Sequence, residues 1–162
     1  ARLSFQPDAY GHILEYRGNG RENAVAGRCT RGFELRGIYD ILNHSAFTGL
    51  PAYEIWLADT AARIRKGTAR VTASFEEGRP VSTASALFET DSAVVIGAVA
   101  TLPEFRGRGY AGMLVGALAE ESAAAGKKVN LLCAHGDILD FYQTLGFVKA
   151  GEWASGVKGY DG

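Results

Sequence analysis

The sequence contains few of the features that mark secreted, membrane-spanning or metal-binding proteins. Among its 162 residues there are only two cysteines, Cys29 and Cys133, and neither has a neighbour at the spacing of a metal site. Cysteines this sparse favour a reduced, cytoplasmic protein. The longest apolar run has about ten residues, whereas a membrane-spanning helix needs about 20. Residues 1–11 contain no apolar signal-peptide core, so we expect no metal site, no membrane segment and no secretory leader.

The balance of charge argues against a nucleic-acid partner. The 17 basic and 18 acidic residues give a net charge of −1, so no global nucleic-acid-binding surface is expected. Hydrophobic residues make up 47% of the chain and charged residues 22%, as in soluble globular domains. A chain of 162 residues is long enough for one domain with a sizeable core. We expect an N-terminal extension over 1–23, folded as a hairpin, and a single domain over 24–162.

Hydrophobic periodicity predicts the order β-α-α-β-β-β-α-β-α-β, with the first strand within 24–30. Short turns join three central strands as an antiparallel meander, and a helix connects the third of them to a parallel neighbour. The result is a mixed, mostly antiparallel sheet flanked by helices, of the α/β (α+β) class. The glycine-rich segment 155–162 is expected to be frayed. After a first helix that ends near residue 43, the predicted helices are 53–66, 110–125 and 137–145, and the strands are 69–76, 81–88, 93–101, 129–134 and 147–153.

One stretch organises the chain, with a strand, a glycine-rich turn and a helix between residues 93 and 125. The run Ala93–Thr101 is short, apolar and rich in β-branched residues, as in a strand buried on both faces. Pro103 ends the strand, and the turn Arg106–Gly109 leads into the helix. Open backbone N–H groups, a helix N-terminus and two arginines suit a phosphate or pyrophosphate. The alternative is a surface turn whose arginines are merely solvated.

Two common nucleotide-binding motifs fit this turn poorly. Gly107, Gly109 and Gly112 form G-x-G-x-x-G, but residues 102–106 separate the strand from the first glycine. A dinucleotide-binding unit also requires an acidic residue at the end of the next strand, where residues 131–134 carry none. The Gly-Lys-Ser/Thr of a P-loop is absent from the turn. A nicotinamide-dinucleotide oxidoreductase is therefore an alternative that rests only on the glycine pattern.

Two other motifs carry a resemblance to a known family. Arg106–Ala111 reads R-G-R-G-Y-A and fits the pattern Arg/Gln-x-x-Gly-x-Gly/Ala, and Phe141–Phe147 reads F-Y-Q-T-L-G-F and fits F-Y-x-x-L-G-F. Both patterns are those of the GNAT superfamily of N-acetyltransferases, which the chain also resembles in element order across 24–153. The resemblance implies a GNAT-like fold and acetyl-CoA as co-substrate. It also implies an acceptor amine, from a small molecule or a peptide, that attacks the thioester directly.

The resemblance assigns roles to individual residues. The backbone of Val99 and Thr101 would pair with the pantetheine arm of acetyl-CoA, and Tyr142 would protonate the departing thiolate as general acid. His135 stands where relatives often have asparagine, so it would contact the pantetheine arm, act as a base, or be structural. The pyrophosphate would lie against the backbone amides of Arg106, Gly107, Arg108, Gly109, Tyr110 and Ala111.

Two departures from the family pattern leave alternatives open. The strand Ala93–Thr101 carries no carboxylate that could serve as general base, which favours a non-catalytic acyl-CoA-binding or regulatory domain as the alternative function. Relatives usually end in two strands, but little sequence follows Trp153. The N-terminal hairpin would fill this gap, or a second copy of the chain in a homodimer would supply the missing strand.

Overall fold

The computed structural model describes residues 3–18, 27–28, 32–45, 49–134, 136 and 138–160. Within these ranges the chain forms seven strands and four α-helices, with one turn of 3₁₀ helix after the fifth strand. The strands are β1 (Leu3–Tyr16), β2 (Gly27–Arg28), β3 (Arg70–Glu76), β4 (Arg79–Glu89), β5 (Ala93–Thr101), β6 (Lys128–Ala134) and β7 (Phe147–Tyr160). The helices are α1 (Gly32–Asn43), α2 (Tyr53–Arg65), α3 (Tyr110–Ala124) and α4 (Ile138–Thr144).

The strands form one sheet in the order β2-β3-β4-β5-β6-β1-β7. Neighbouring strands are antiparallel except β5 and β6, which run parallel from the pair Ala93–Lys128 to the pair Ile96–Leu131. Helix α3 makes the crossover between these two strands. The predicted mixed, mostly antiparallel sheet flanked by helices is therefore confirmed.

The two ends of the chain differ from the prediction. The hairpin expected within residues 1–23 is wrong, because Leu3–Tyr16 is one continuous strand. The segment expected to be frayed is strand as well, since β7 continues to Tyr160. Neither segment has strong strand propensity, but they pair from Leu3–Tyr160 to Tyr16–Phe147, and this long ladder overrides local preference. Because β1 lies between β6 and β7, it supplies the neighbour that the sequence left missing beside the last strand.

Each face of the sheet has its own core. Helices α3 and α4 pack over one cluster, in which Val94, Leu114 and Phe147 are at most 1% exposed. Helix α1 packs over the other cluster, through residues such as Leu35 and Ile38. Helix α2 lies on the same side as α1 but contributes no buried residue. The sheet is therefore covered tightly on one face and more loosely under α2.

A group of charges ties the end of α3 to β3 and β4. The Glu89 carboxylate accepts hydrogen bonds from Arg70 at 2.7 Å and from Lys127 at 2.8 Å. Arg70 also pairs with Glu121 at 2.9 Å and donates to Ser122 Oγ at 2.8 Å. Burial alone would raise the pKa of Glu89, but the hydrogen bonds from Lys127 and Arg70 outweigh it and hold this pKa below its usual value. The cluster fixes the end of the sheet where β5 begins.

Candidate active site

A cleft of about 450 Å³ opens where β5 ends. Three parts of the chain surround it: the end of β5, the turn that leads into α3, and helix α4. They meet because the chain passes from β5 through a 3₁₀ turn and the glycine-rich turn into α3, and because β6, the strand before α4, pairs with β5. The lining residues are Val99, Ala100, Thr101, Phe105, Arg106, Gly107, Gly109, Tyr110, Ala111, Gly112, Ile138, Phe141 and Tyr142.

One edge of β5 is open along this cleft. The pairing of β5 with β6 ends at Ile96 and Leu131, so within the described part of the chain the last five residues of β5 have no partner strand on that side. The carbonyl of Ala100 accepts from Ser82 Oγ at 3.1 Å, so it points towards β4. Because backbone groups alternate in direction along a strand, those of Val99 and Thr101 point to the open edge. An extended ligand could pair there as an additional strand.

A β-bulge bends β5 at the bottom of the open edge. Gly97 pairs with Ser85 and Ala100 pairs with Thr83, so β5 has one more residue than β4 between these pairs. The extra residue is accommodated by Ala98, whose φ of 49° is unusual for a residue other than glycine. Bulges of this kind redirect side chains and end regular pairing, and they are frequent beside active sites.

The turn at the top of the cleft presents the N-terminus of α3. Gly109 is the N-cap residue, with φ 84°, and no side chain caps the helix. Gly107 has φ 73°, so both glycines adopt a left-handed conformation that other residues rarely take. The first N–H groups of α3 therefore face the cleft with the positive end of the helix dipole, which suits an anion.

Two arginines and a tyrosine fix the shape of the turn. Arg106 Nε donates to the carbonyl oxygen of Thr101 at 3.1 Å, which joins the turn to the end of β5. Arg108 donates to the carbonyl oxygen of Glu104 at 3.0 Å, outside the cleft lining. The Tyr110 hydroxyl donates to a carboxylate oxygen of Glu76, and this hydrogen bond raises the pKa of Tyr110. The turn is thus held by β3, by β5 and by its own backbone.

Comparison with known proteins agrees with this geometry. Residues 75–154 match the family model described as FR47-like protein. A GCN5-related N-acetyltransferase from Sphaerobacter thermophilus is 17% identical, with a TM-score of 0.69 over 93% of this chain and 51% of that chain. An acetyltransferase from Trypanosoma brucei is 27% identical, with a TM-score of 0.59 over 85% of this chain and 94% of that chain. The chain has the GNAT fold, and these matches support its recognition as a GNAT superfamily N-acetyltransferase.

Other GNAT structures extend the comparison. Glucosamine-6-phosphate N-acetyltransferase from Arabidopsis thaliana is 20% identical, with a TM-score of 0.63 over 79% of this chain and 95% of that chain. The chain spans between 51% and 64% of the length of four longer GNAT structures. No curated protein sequence matches it. The GNAT fold supports acyl transfer in general and implies acetyl-CoA as the co-substrate.

Tyr142 lies at the inner end of the GNAT cleft, on α4. Its side chain is buried, 4% exposed, and it lines the cleft beside Phe141. Burial, followed by the nearby Cys133 thiol, raises the pKa of Tyr142 to about 12. The phenol therefore keeps its proton at physiological pH and can donate it. Cys133 is itself buried, and burial raises the pKa of its thiol, so it is a poor nucleophile.

The structure brings most of the predicted site residues to this cleft. Arg108 is close by, but its guanidinium lies over the Phe105 ring at 5.0 Å and does not line the cleft. His135 falls outside the described residues. The predicted residues that do line the cleft are Val99, Thr101, Arg106, Gly107, Gly109, Tyr110, Ala111 and Tyr142.

Sequence reasoning gave no role to several apolar residues of the cleft. Ile138 and Phe141 lie three positions apart on α4, and Phe141 and Tyr142 form an edge-to-face ring pair at 5.1 Å. The spacing of Ile138, Phe141 and Tyr142 on a helix would have indicated one apolar face directed at the cleft. Among the described residues there is no cluster of three potential metal ligands and no helix long and apolar enough to span a membrane.

Proposed function

We propose that this protein is an acetyl-CoA-dependent N-acetyltransferase that acts on a small-molecule or peptide amine. A single arrangement carries the proposal: one cleft joins an uncapped helix N-terminus, an open strand edge and a buried, protonated tyrosine. These three features suit the pyrophosphate, the extended pantetheine arm and the thioester sulfur of one elongated molecule.

Binding in this proposal uses mainly backbone groups. The N–H groups at the start of α3, with Gly107 and Gly109, hold the pyrophosphate. The backbone of Val99 and Thr101 pairs with the amides of the pantetheine arm along the open edge of β5. Arg106 stays on the Thr101 carbonyl and keeps the turn in register with the strand. The arm is thereby directed towards Tyr142.

Chemistry in this proposal is a single transfer without an acyl-enzyme. The neutral amine nitrogen attacks the carbonyl carbon, the new C–N bond forms, and the C–S bond breaks. The nitrogen releases one proton to solvent as the amide forms. Tyr142 gives its hydroxyl proton to the departing thiolate and recovers a proton from solvent. Its high pKa means that the acid form is present at every physiological pH.

A non-catalytic acyl-CoA-binding domain is the second candidate, because β5 provides no carboxylate to deprotonate the amine. An acetyl-transfer assay over a panel of amines, with CoA release as the readout, separates the two. We expect transfer by the wild type and a loss of about 10²-fold or more in kcat for Tyr142→Phe, at nearly unchanged acetyl-CoA affinity.

Tyr16→Phe is the matched control for this assay. Tyr16 packs on the same Phe147 ring as Tyr142, but its hydroxyl contacts Glu120 and it does not line the cleft. We expect this variant to keep wild-type kcat. If the wild type binds acetyl-CoA but acetylates no amine, the binding domain is the better description. If Tyr142→Phe retains full kcat, Tyr142 is not the general acid.

A further inference from the structure

A second cavity lies on the opposite face of the sheet, between α2 and strands β3, β4 and β5. Its volume is about 120 Å³, and we refer to it as the α2 pocket. Four residues of α2 line it: Trp56, Thr60 and the ion pair of Asp59 with Arg63, whose atoms are 2.9 Å apart. Its apolar lining includes Leu42, Trp56, Ala69, Val71, Ala86, Leu87 and Ala98.

The α2 pocket exists because two bulges and a loosely packed helix coincide. On β4, Leu87 is an extra residue between the partners of Val95 and Ile96, and on β5 the extra residue is accommodated at Ala98. Both bulge residues line the pocket. Leu87 also lies across Gly97, where an added Cβ would be 2.5 Å from Leu87 Cδ1. Since no residue of α2 is buried and Trp56 packs only partly against this core, the helix leaves space above the sheet.

The open edge of β5 leads towards this pocket. A ligand that runs along the edge from Thr101 cannot continue in the plane of the sheet beyond Gly97, because Ile96 pairs with Leu131. On the face of α3 and α4, Ile96, Leu114 and Leu131 are packed at 0–1% exposure and leave no room. The tip of the ligand must therefore turn to the other face, where Ala98 forms part of the α2 pocket.

We propose that the α2 pocket receives the acyl chain of the donor thioester, so that the protein takes short aliphatic acyl groups longer than acetyl. The inference rests on the proposed function, because that function brings a CoA thioester along the open edge of β5. A volume of about 120 Å³ matches about four groups of the size of a water molecule, each of about 30 Å³. Butyryl to hexanoyl groups are of this size. The bond changes are those of acetyl transfer, with a longer chain on the transferred carbonyl.

Calorimetry without an acceptor amine tests the inference. The probes are CoA, acetyl-CoA, butyryl-CoA and hexanoyl-CoA. Each buried methylene strengthens binding about fourfold, so we expect the wild type to bind butyryl-CoA, which has two more methylenes, about 15-fold more tightly than acetyl-CoA. Thr60→Phe fills the pocket from α2, and we expect it to abolish this difference while the Kd values of CoA and acetyl-CoA change less than about twofold. Ala69→Leu fills the pocket from the sheet and should act in the same way.

Ala58→Phe is the control, because it adds a similar volume at an exposed position of α2 that does not line the pocket. It should keep the chain-length preference. Circular dichroism identifies any variant that fails to fold. If one of the two pocket-filling variants does not fold, the other one tests the inference. Equal affinity of the wild type for acetyl-CoA and butyryl-CoA overturns the inference and leaves the proposed function standing. The inference is also overturned if a folded Thr60→Phe or Ala69→Leu variant still prefers butyryl-CoA to acetyl-CoA. If the wild type binds none of the four probes, both proposals are overturned.

Discussion

The indole N–H of Trp153 donates a hydrogen bond to the carbonyl oxygen of Cys133, 3.3 Å away, across the backbone of Gly11. Gly11 lies on β1 and pairs with Trp153 on β7 and with Ala134 on β6. The indole therefore bridges two strands over the one between them. This contact is possible because position 11 has no side chain, and it fixes the N-terminal strand within the sheet.

Gly11→Ala is expected to destabilise the fold. The added Cβ would lie 2.1 Å from the Cys133 carbonyl oxygen and 2.7 Å from the Trp153 indole nitrogen, so either backbone or indole must move. We expect a loss of about 1–3 kcal/mol or more in the free energy of unfolding, measured by urea denaturation. Gly151→Ala on β7 is the control, since its Cβ would be 3.6 Å from Ile13 Cδ1, an ordinary contact. Equal effects of the two substitutions would show that the indole does not depend on Gly11.

Glu89→Gln is expected to lower the stability of the fold, because Glu89 has two partly buried cationic partners. The side chain of Glu89 is 11% exposed, and its loss of charge leaves Arg70 and Lys127 without their shared carboxylate. We expect a loss of about 1–3 kcal/mol at pH 7. The pKa of Glu89 is lower in the folded protein than the value of about 4.5 in the unfolded chain. The contribution of Glu89 to the free energy of unfolding is therefore present above pH 4.5 and is lost as the pH falls through the folded pKa.

The exposed pair of Arg79 with Glu104 provides the control for that measurement. Its side chains are 63% and 56% exposed, so Glu104→Gln should change the free energy of unfolding by less than about 0.5 kcal/mol. Urea denaturation of both variants between pH 3 and pH 7 gives the comparison. A Glu89→Gln variant as stable as the wild type at pH 7 would contradict the role given to this cluster.

Tyr142 should make the stability depend on alkaline pH. Its pKa is raised from 10.0 in the reference state to about 12 in the fold, so the unfolded chain releases this proton first. The contribution of the Tyr142 phenol to the free energy of unfolding is fully present below pH 10. It falls by roughly 2–3 kcal/mol as the pH rises from 10 to 12. Comparison of urea denaturation of the wild type and Tyr142→Phe isolates the effect from other titrating groups. Parallel pH dependence of the two proteins would mean that Tyr142 is less buried than described.

The cleft could be predicted largely from sequence because its determinants are local. The strand Ala93–Thr101, the turn Arg106–Gly109 and the start of α3 are contiguous, and the two turn glycines mark positions where the backbone takes a positive φ. The motif at Phe141–Phe147 is likewise contiguous and runs from the second half of α4 to the first residue of β7. In such segments the spacing of residues is nearly sufficient to define the local structure.

The position of β1 could not be predicted in this way. Its strand character comes from pairing with β6 and β7, which lie at the far end of the sequence, and its own residues include Pro7 and Gly11. The bulge at Ala98 also has no local signal, because alanine rarely takes a positive φ. The α2 pocket depends on how closely α2 approaches the sheet, which periodicity does not specify.

The most direct test of the proposed pyrophosphate site is calorimetry of acetyl-CoA binding. It compares the wild type with Gly109→Ala and Gly126→Ala. Both glycines have a positive φ, 84° and 77°, and an added Cβ meets nothing within 4 Å at either position. The two substitutions therefore impose similar backbone strain at opposite ends of α3, but only Gly109 lines the cleft. We predict that the wild type and Gly126→Ala bind acetyl-CoA alike, and that Gly109→Ala binds it at least about tenfold more weakly. Equal binding by all three proteins would contradict the assignment of this turn as the pyrophosphate site.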